Sequence, residues 1–109
     1  MGYFYYGTAA YAIEIDDRPL AHFKIAALTL VRAGESFAFS FVRPASIGSG
    51  RETLWICPTT DIRFRFNGNR APKINELWVR LIIESAVAPT GMVLVPEPEM
   101  AGENRLISS

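Results

Sequence analysis

The chain has 109 residues, of which 50% are hydrophobic and 20% charged, and its 11 basic and 11 acidic side chains leave no formal net charge. That composition excludes a disordered or low-complexity chain, and this length suits one domain burying roughly 65% of the surface its unfolded form exposes. Zero net charge also excludes a global field for nucleic acid or membrane, although residues 36–75 hold six basic groups against Glu52 and Asp61, a local excess of +4.

Tyr3–Tyr6 and Tyr11–Asp16 read as two strands joined by Gly7-Thr8-Ala9-Ala10, a hairpin loop. Asp16-Asp17-Arg18-Pro19 marks a helix start, because Asp accepts free first-turn amides and Pro fits the first turn. Leu20, Phe23, Ala27, Leu30 and Val31 follow at helical spacing, and Gly34 supplies the stop. Phe37, Phe39 and Phe41 alternate with Ser36, Ala38 and Ser40 in a third strand. Residues 43–51 form a loop, Thr53–Cys57 a fourth strand, and Ile62–Phe66 a fifth after Pro58-Thr59-Thr60. A second helix is predicted over about Pro72–Ala88, with Ile74, Leu77, Trp78, Leu81 and Ile82 along one stripe. Met92–Val95 reads as a short apolar final strand.

The order β-β-α-β-β-β-α-β predicts an α+β fold: a mainly antiparallel sheet of five to six strands with two helices packed on one face. It is a single domain over residues 1–96, and 97–109 read as a flexible tail.

One geometry carries the functional expectation. If Pro58-Thr59-Thr60 joins strands four and five as a hairpin, Trp55 opposes Arg63 and Thr53 opposes Arg65. Apolar pairs then share one face, and a one-residue slip would mix the two sets. Trp55, Arg63, Arg65, Arg70 and Lys73 form a candidate surface for a protein partner or for nucleic acid, or a plain solvated face. The Tyr3-Phe4-Tyr5-Tyr6 run has rings on both sides of its strand, which as an edge suggests self-association through Tyr3, Tyr5 and Tyr6.

Catalytic and metal chemistry find little footing. His22 precedes the core-facing Phe23, which reads as a surface histidine, and Asp16 and Asp17 are explained as capping residues. Cys57 is alone, so it forms no intramolecular disulfide, and within an apolar strand it reads as a buried, inert thiol. One His and one Cys do not make a zinc site. Arg43, Gly48, Gly50 and Arg51 invite an anion-binding reading, but they lack phosphate-loop spacing and no helix follows. With no signal-peptide pattern and no run of about 18 apolar residues, the reading is a cytoplasmic protein without membrane partners or cofactors.

The stretches Ile15-Asp16-Asp17-Arg18, Leu20-Ala21-His22, Arg32-Ala33-Gly34-Glu35-Ser36-Phe37, Leu54-Trp55-Ile56-Cys57-Pro58, Phe64-Arg65-Phe66 and Val95-Pro96-Glu97-Pro98 together resemble a family of short uncharacterised actinobacterial proteins. The resemblance covers about residues 1–98. Members usually carry His where Cys57 stands and Trp where Phe41 stands. Many bear an automatic label of ATP-dependent DNA ligase, which the residues here do not support. That chemistry needs a Lys-x-Asp-Gly nucleophile, whereas Lys24 precedes Ile25-Ala26-Ala27 and Lys73 precedes Ile74-Asn75-Glu76. The reading is therefore a non-enzymatic binding or assembly module acting through exposed aromatic strand surface, with nucleic-acid binding as the alternative.

Overall fold

A computed structural model describes residues 1–43 and 50–99. Its elements are β1 (Gly2–Tyr6), β2 (Tyr11–Ile15), α1 (Asp17–Arg32), β3 (Phe37–Arg43), β4 (Gly50–Ile56), β5 (Ile62–Arg65) and α2 (Glu76–Ser85). The fold is α+β, with the strands divided between two antiparallel sheets ordered β2-β1-β5 and β3-β4.

This division corrects the expected hairpin of strands four and five. The chain does turn at residues 57–60, where the Thr60 amide donates to the Cys57 carbonyl at 2.9 Å. It turns out of one sheet and into the other. β5 then pairs with β1, placing Phe64 opposite Phe4 and Ile62 opposite Tyr6 on the inner face, while β4 pairs with β3. Alternation fixed which β5 residues face inward; β1 offers the same parity as β4, so alternation alone does not choose the partner. β1 is consequently the central strand of its sheet, not an edge.

The core forms where α1 bridges the sheets. Phe23 of α1 lies edge-on to Phe4 of β1, 4.9 Å between centroids, and stacks on Phe39 of β3 at 4.3 Å. Leu20, Ala26 and Ala27 extend this buried stripe, and Trp78 and Ile82 bring α2 into the same cluster. Full burial of a Phe or Leu side chain stabilises by roughly 1.5–3 kcal/mol, so this junction dominates folding.

Helix ends follow local chemistry, with adjustments. At the end of α1 the Glu35 amide reaches the Leu30 carbonyl at 2.9 Å and the Gly34 amide reaches Val31 at 3.0 Å, with Gly34 at φ +78°. This is a Schellman stop, and only glycine takes that conformation freely. Asp16 precedes α1 without a side-chain cap. Helix α2 begins at Glu76, later than expected from Pro72, because the Asn75 side chain caps it by accepting from the Trp78 amide at 3.3 Å. The predicted final strand reduces to one parallel bridge, Met92 beside Phe39. Gly91, at φ +84°, permits the approach: a Cβ there would stand 2.8 Å from the Ala38 Cβ. Glycine 48 and residues 100–109 lie outside the described residues.

Candidate functional site

The outer face of the β2-β1-β5 sheet collects four of the side chains singled out by the sequence, Tyr3, Tyr5, Arg63 and Arg65. Two cross-strand rows run over it: Glu14–Tyr3–Arg65 and Ala12–Tyr5–Arg63. The Arg63 guanidinium lies 4.3 Å from the Tyr5 ring centroid, within cation–π range. The rings of Tyr3 and Tyr5 are 6.1 Å apart. Tyr3, Arg63 and Arg65 are exposed, and among the described residues neither arginine forms a salt bridge.

Other predicted members lie elsewhere. Trp55 is 60% exposed on the outer face of the second sheet, opposite Ala38. Tyr6 points inward from β1, and its hydroxyl donates to the Trp55 carbonyl at 2.6 Å, tying the sheets together. Tyr6 is therefore a structural link rather than a neighbour of Tyr3 and Tyr5. Arg70 and Lys73 are exposed on the segment between β5 and α2. Arg43, from the anion-loop reading, is paired with Glu52 at 2.9 Å. The fold thus separates Trp55, in one sheet, from Arg63 and Arg65, in the other.

His22 corrects the surface reading outright. It is fully buried, with Nδ1 2.7 Å from the Arg18 carbonyl, Nε2 accepting the Asn75 amide at 2.9 Å, and its ring 4.4 Å from Trp78. These partners define the neutral tautomer that carries its proton on Nδ1, because Nε2 must accept. Around it, Arg18 forks onto both oxygens of Glu97 at 2.8 and 2.5 Å, and Asn75 donates to Glu97 and to the Pro98 carbonyl. The Trp78 indole donates to the Val95 carbonyl at 2.8 Å. The bonds from Arg18 first, then Asn75, hold the Glu97 carboxyl down at about 2. Asp17 reaches across to the amides of Gly68 and Asn67, which lower its pKa in turn. Every chemically active group here serves to fasten segments together.

Cys57 also departs from expectation. It sits just beyond β4, partly exposed, with Sγ 3.4 Å from the Thr59 hydroxyl and 3.2 Å from that of Thr60. These hydroxyls, Thr59 foremost, stabilise the thiolate and bring its pKa to about 7. The thiol is thus partly exposed with its thiolate favoured, not buried; the Cys-Pro-Thr-Thr turn was the available signal.

The family model described as a domain of unknown function (DUF7882) matches residues 1–97. The chain belongs to this family. No curated protein and no solved structure matches it. The DUF7882 domain thus takes in both sheets, both helices and the strand-like segment up to Glu97, whose carboxylate closes onto Arg18. Among its described residues no three His, Cys, Asp or Glu side chains converge to hold a metal, and no helix is long and apolar enough to cross a membrane.

Proposed function

We propose that this DUF7882 domain is a non-enzymatic, cytoplasmic binding module that docks a second copy of itself through the outer face of β2-β1-β5. The observation that carries the reading is the Glu14–Tyr3–Arg65 row beside Tyr5 and Arg63. Tyr and Arg are the residue types that concentrate binding energy at interface centres. The row is also self-complementary. A two-fold axis running along the strands through Tyr3 sets Glu14 of one copy against Arg65 of the partner subunit, and Tyr3 against its own counterpart.

Sedimentation of the full chain over a range of concentrations tests this. The wild type is expected to associate, Arg65→Glu to dissociate, and the charge-swapped pair Glu14→Arg with Arg65→Glu to reassociate. A monomer at every concentration, or association indifferent to Arg65→Glu, overturns the reading.

A second reading, single-stranded nucleic acid on the same face, is favoured by two arginines that flank tyrosine rings and form no salt bridge among the described residues. It predicts salt-dependent oligonucleotide binding that Arg63→Ala with Arg65→Ala abolishes and Trp55→Ala leaves intact.

A further inference from the structure

The segment between β5 and α2 is pinned to α1 at both ends. The amides of Asn67 and Gly68 donate to the Asp17 carboxylate at 3.1 and 2.9 Å. At the other end Arg18 donates to the Lys73 carbonyl at 2.9 Å, and the Asn75 amide donates to His22 at 2.9 Å. Between these fastenings the segment and the helix border a cavity of about 300 Å³, at the lower end of the range of small-molecule sites. Both ends are tied down, so the space is built into the fold and needs no ligand to open it.

Ile25 of α1, Phe66 after β5 and Ile74 before α2 give the cavity half-buried apolar walls. Lys24 and Arg70 line it as well, and both are exposed, so an entering molecule reaches them. Among the described residues neither forms a salt bridge. The Lys24 ammonium lies 5.6 Å from the centroid of the Phe66 ring, which sets its charge beside the apolar wall.

Charge selects the ligand. Asp17 also lines the cavity, and its two oxygens are engaged by the amides of Asn67 and Gly68, which lower its pKa and keep it ionised. Lys24, Arg70 and Asp17 therefore sum to one positive charge. A monoanion balances that sum, whereas a dianion such as a phosphate monoester exceeds it beside a fixed carboxylate. An uncharged molecule leaves both cations without a partner. The guanidinium fork of arginine also matches the two oxygens of a carboxylate.

We propose that the cavity between α1 and residues 66–74 binds a small monocarboxylate with a single-ring apolar body. The body lies against Ile25, Phe66 and Ile74, and the carboxylate faces Lys24 and Arg70.

The test uses the full chain, methyl-labelled, titrated at neutral pH and fixed ionic strength with benzoate, with its uncharged isostere benzamide, and with phenyl phosphate. Benzoate is expected to shift the Ile25 and Ile74 methyl signals saturably, benzamide to bind about tenfold more weakly, and phenyl phosphate to bind no more tightly than benzoate. Lys24→Gln with Arg70→Gln is expected to weaken benzoate about tenfold and leave benzamide unchanged. Benzamide binding as tightly as benzoate overturns the proposal, as do benzoate shifts that map elsewhere or fail to saturate. Tighter binding of phenyl phosphate overturns the choice of a carboxylate, and a folded double variant that binds benzoate unchanged overturns the roles of the two cations. The three-ligand comparison needs only the unaltered chain, so it decides the matter even if the variant does not fold. The site shares no residue with the proposed self-docking face, so its failure is distinct from failure of that reading.

Discussion

Where α1 meets residues 73–78 and 95–98, the buried and half-buried polar groups have internal partners: His22 bridges Arg18 and Asn75, and Glu97 takes both Arg18 and Asn75. On the outer face of β1, Tyr3, Tyr5, Arg63 and Arg65 have chiefly one another, and water. Both regions carry the residue types that attract functional readings. The first consumes them in closing the fold, because burying an imidazole or an amide requires that its hydrogen bonds be met. The second leaves them unspoken for, because an exposed arginine is solvated without help from the chain. A histidine or carboxylate is therefore a weaker pointer to function here than an idle tyrosine–arginine face.

The sharpest way to break this comparison is His22→Ala. It removes two hydrogen bonds and the Trp78 contact and leaves the Asn75 amide unpaired, so urea denaturation is expected to show a loss of about 3 kcal/mol. A loss below about 1 kcal/mol would mean that the junction does not fasten the fold. Gly91→Ala follows, at about 2 kcal/mol by thermal denaturation, since alanine at φ +84° is strained and its Cβ meets Ala38.

Glu97 supplies a pH signature. Its folded carboxyl titrates at about 2 against an ordinary 4.5, so the paired carboxylate stabilises the protein above about 4.5. That contribution fades as the pH falls from 4.5 toward about 2. Acid titration of stability for wild type against Glu97→Gln should show the variant lacking this part of the slope. Parallel curves would detach the segment from the junction.

On the open face the expected effect is smallest. Arg63→Ala should change stability by no more than about 0.5 kcal/mol, and a large loss would make the face structural. The turn between the sheets is a third case. Iodoacetamide should alkylate Cys57 with a rate that rises through about pH 7, and replacing Thr59 and Thr60 with valine should move the rise toward 9.

Much of this was legible in the sequence. The Phe37–Phe39–Phe41 alternation, the α1 stripe ending at Gly34 and the inward parity of Ile62 and Phe64 all lie in spacings of two or 3.6 residues. Tyr3 and Tyr5 were singled out for one surface and Arg63 and Arg65 for another; the fold sets them side by side on one sheet face. Their juxtaposition was not readable, because β1 and β5 are separated by more than fifty residues and parity is blind to partner choice. For the same reason Trp55 was set beside Arg63 and Arg65, from which the division into two sheets parts it. His22 was misplaced because helical spacing sets it one residue from the Phe23 stripe, whereas the Asn75 loop covers that flank.

By itself the sequence determined the element types, their inward faces, the helix stop at Gly34 and the α+β class, since each follows from local conformational preference and apolar periodicity. Tertiary structure alone decided the division into two sheets, the burial of His22, the hold on Glu97 and the cavity between α1 and residues 66–74. Each depends on which distant segments meet, and that choice is made by the summed burial of the Phe4–Phe23–Phe39 core rather than by any local signal.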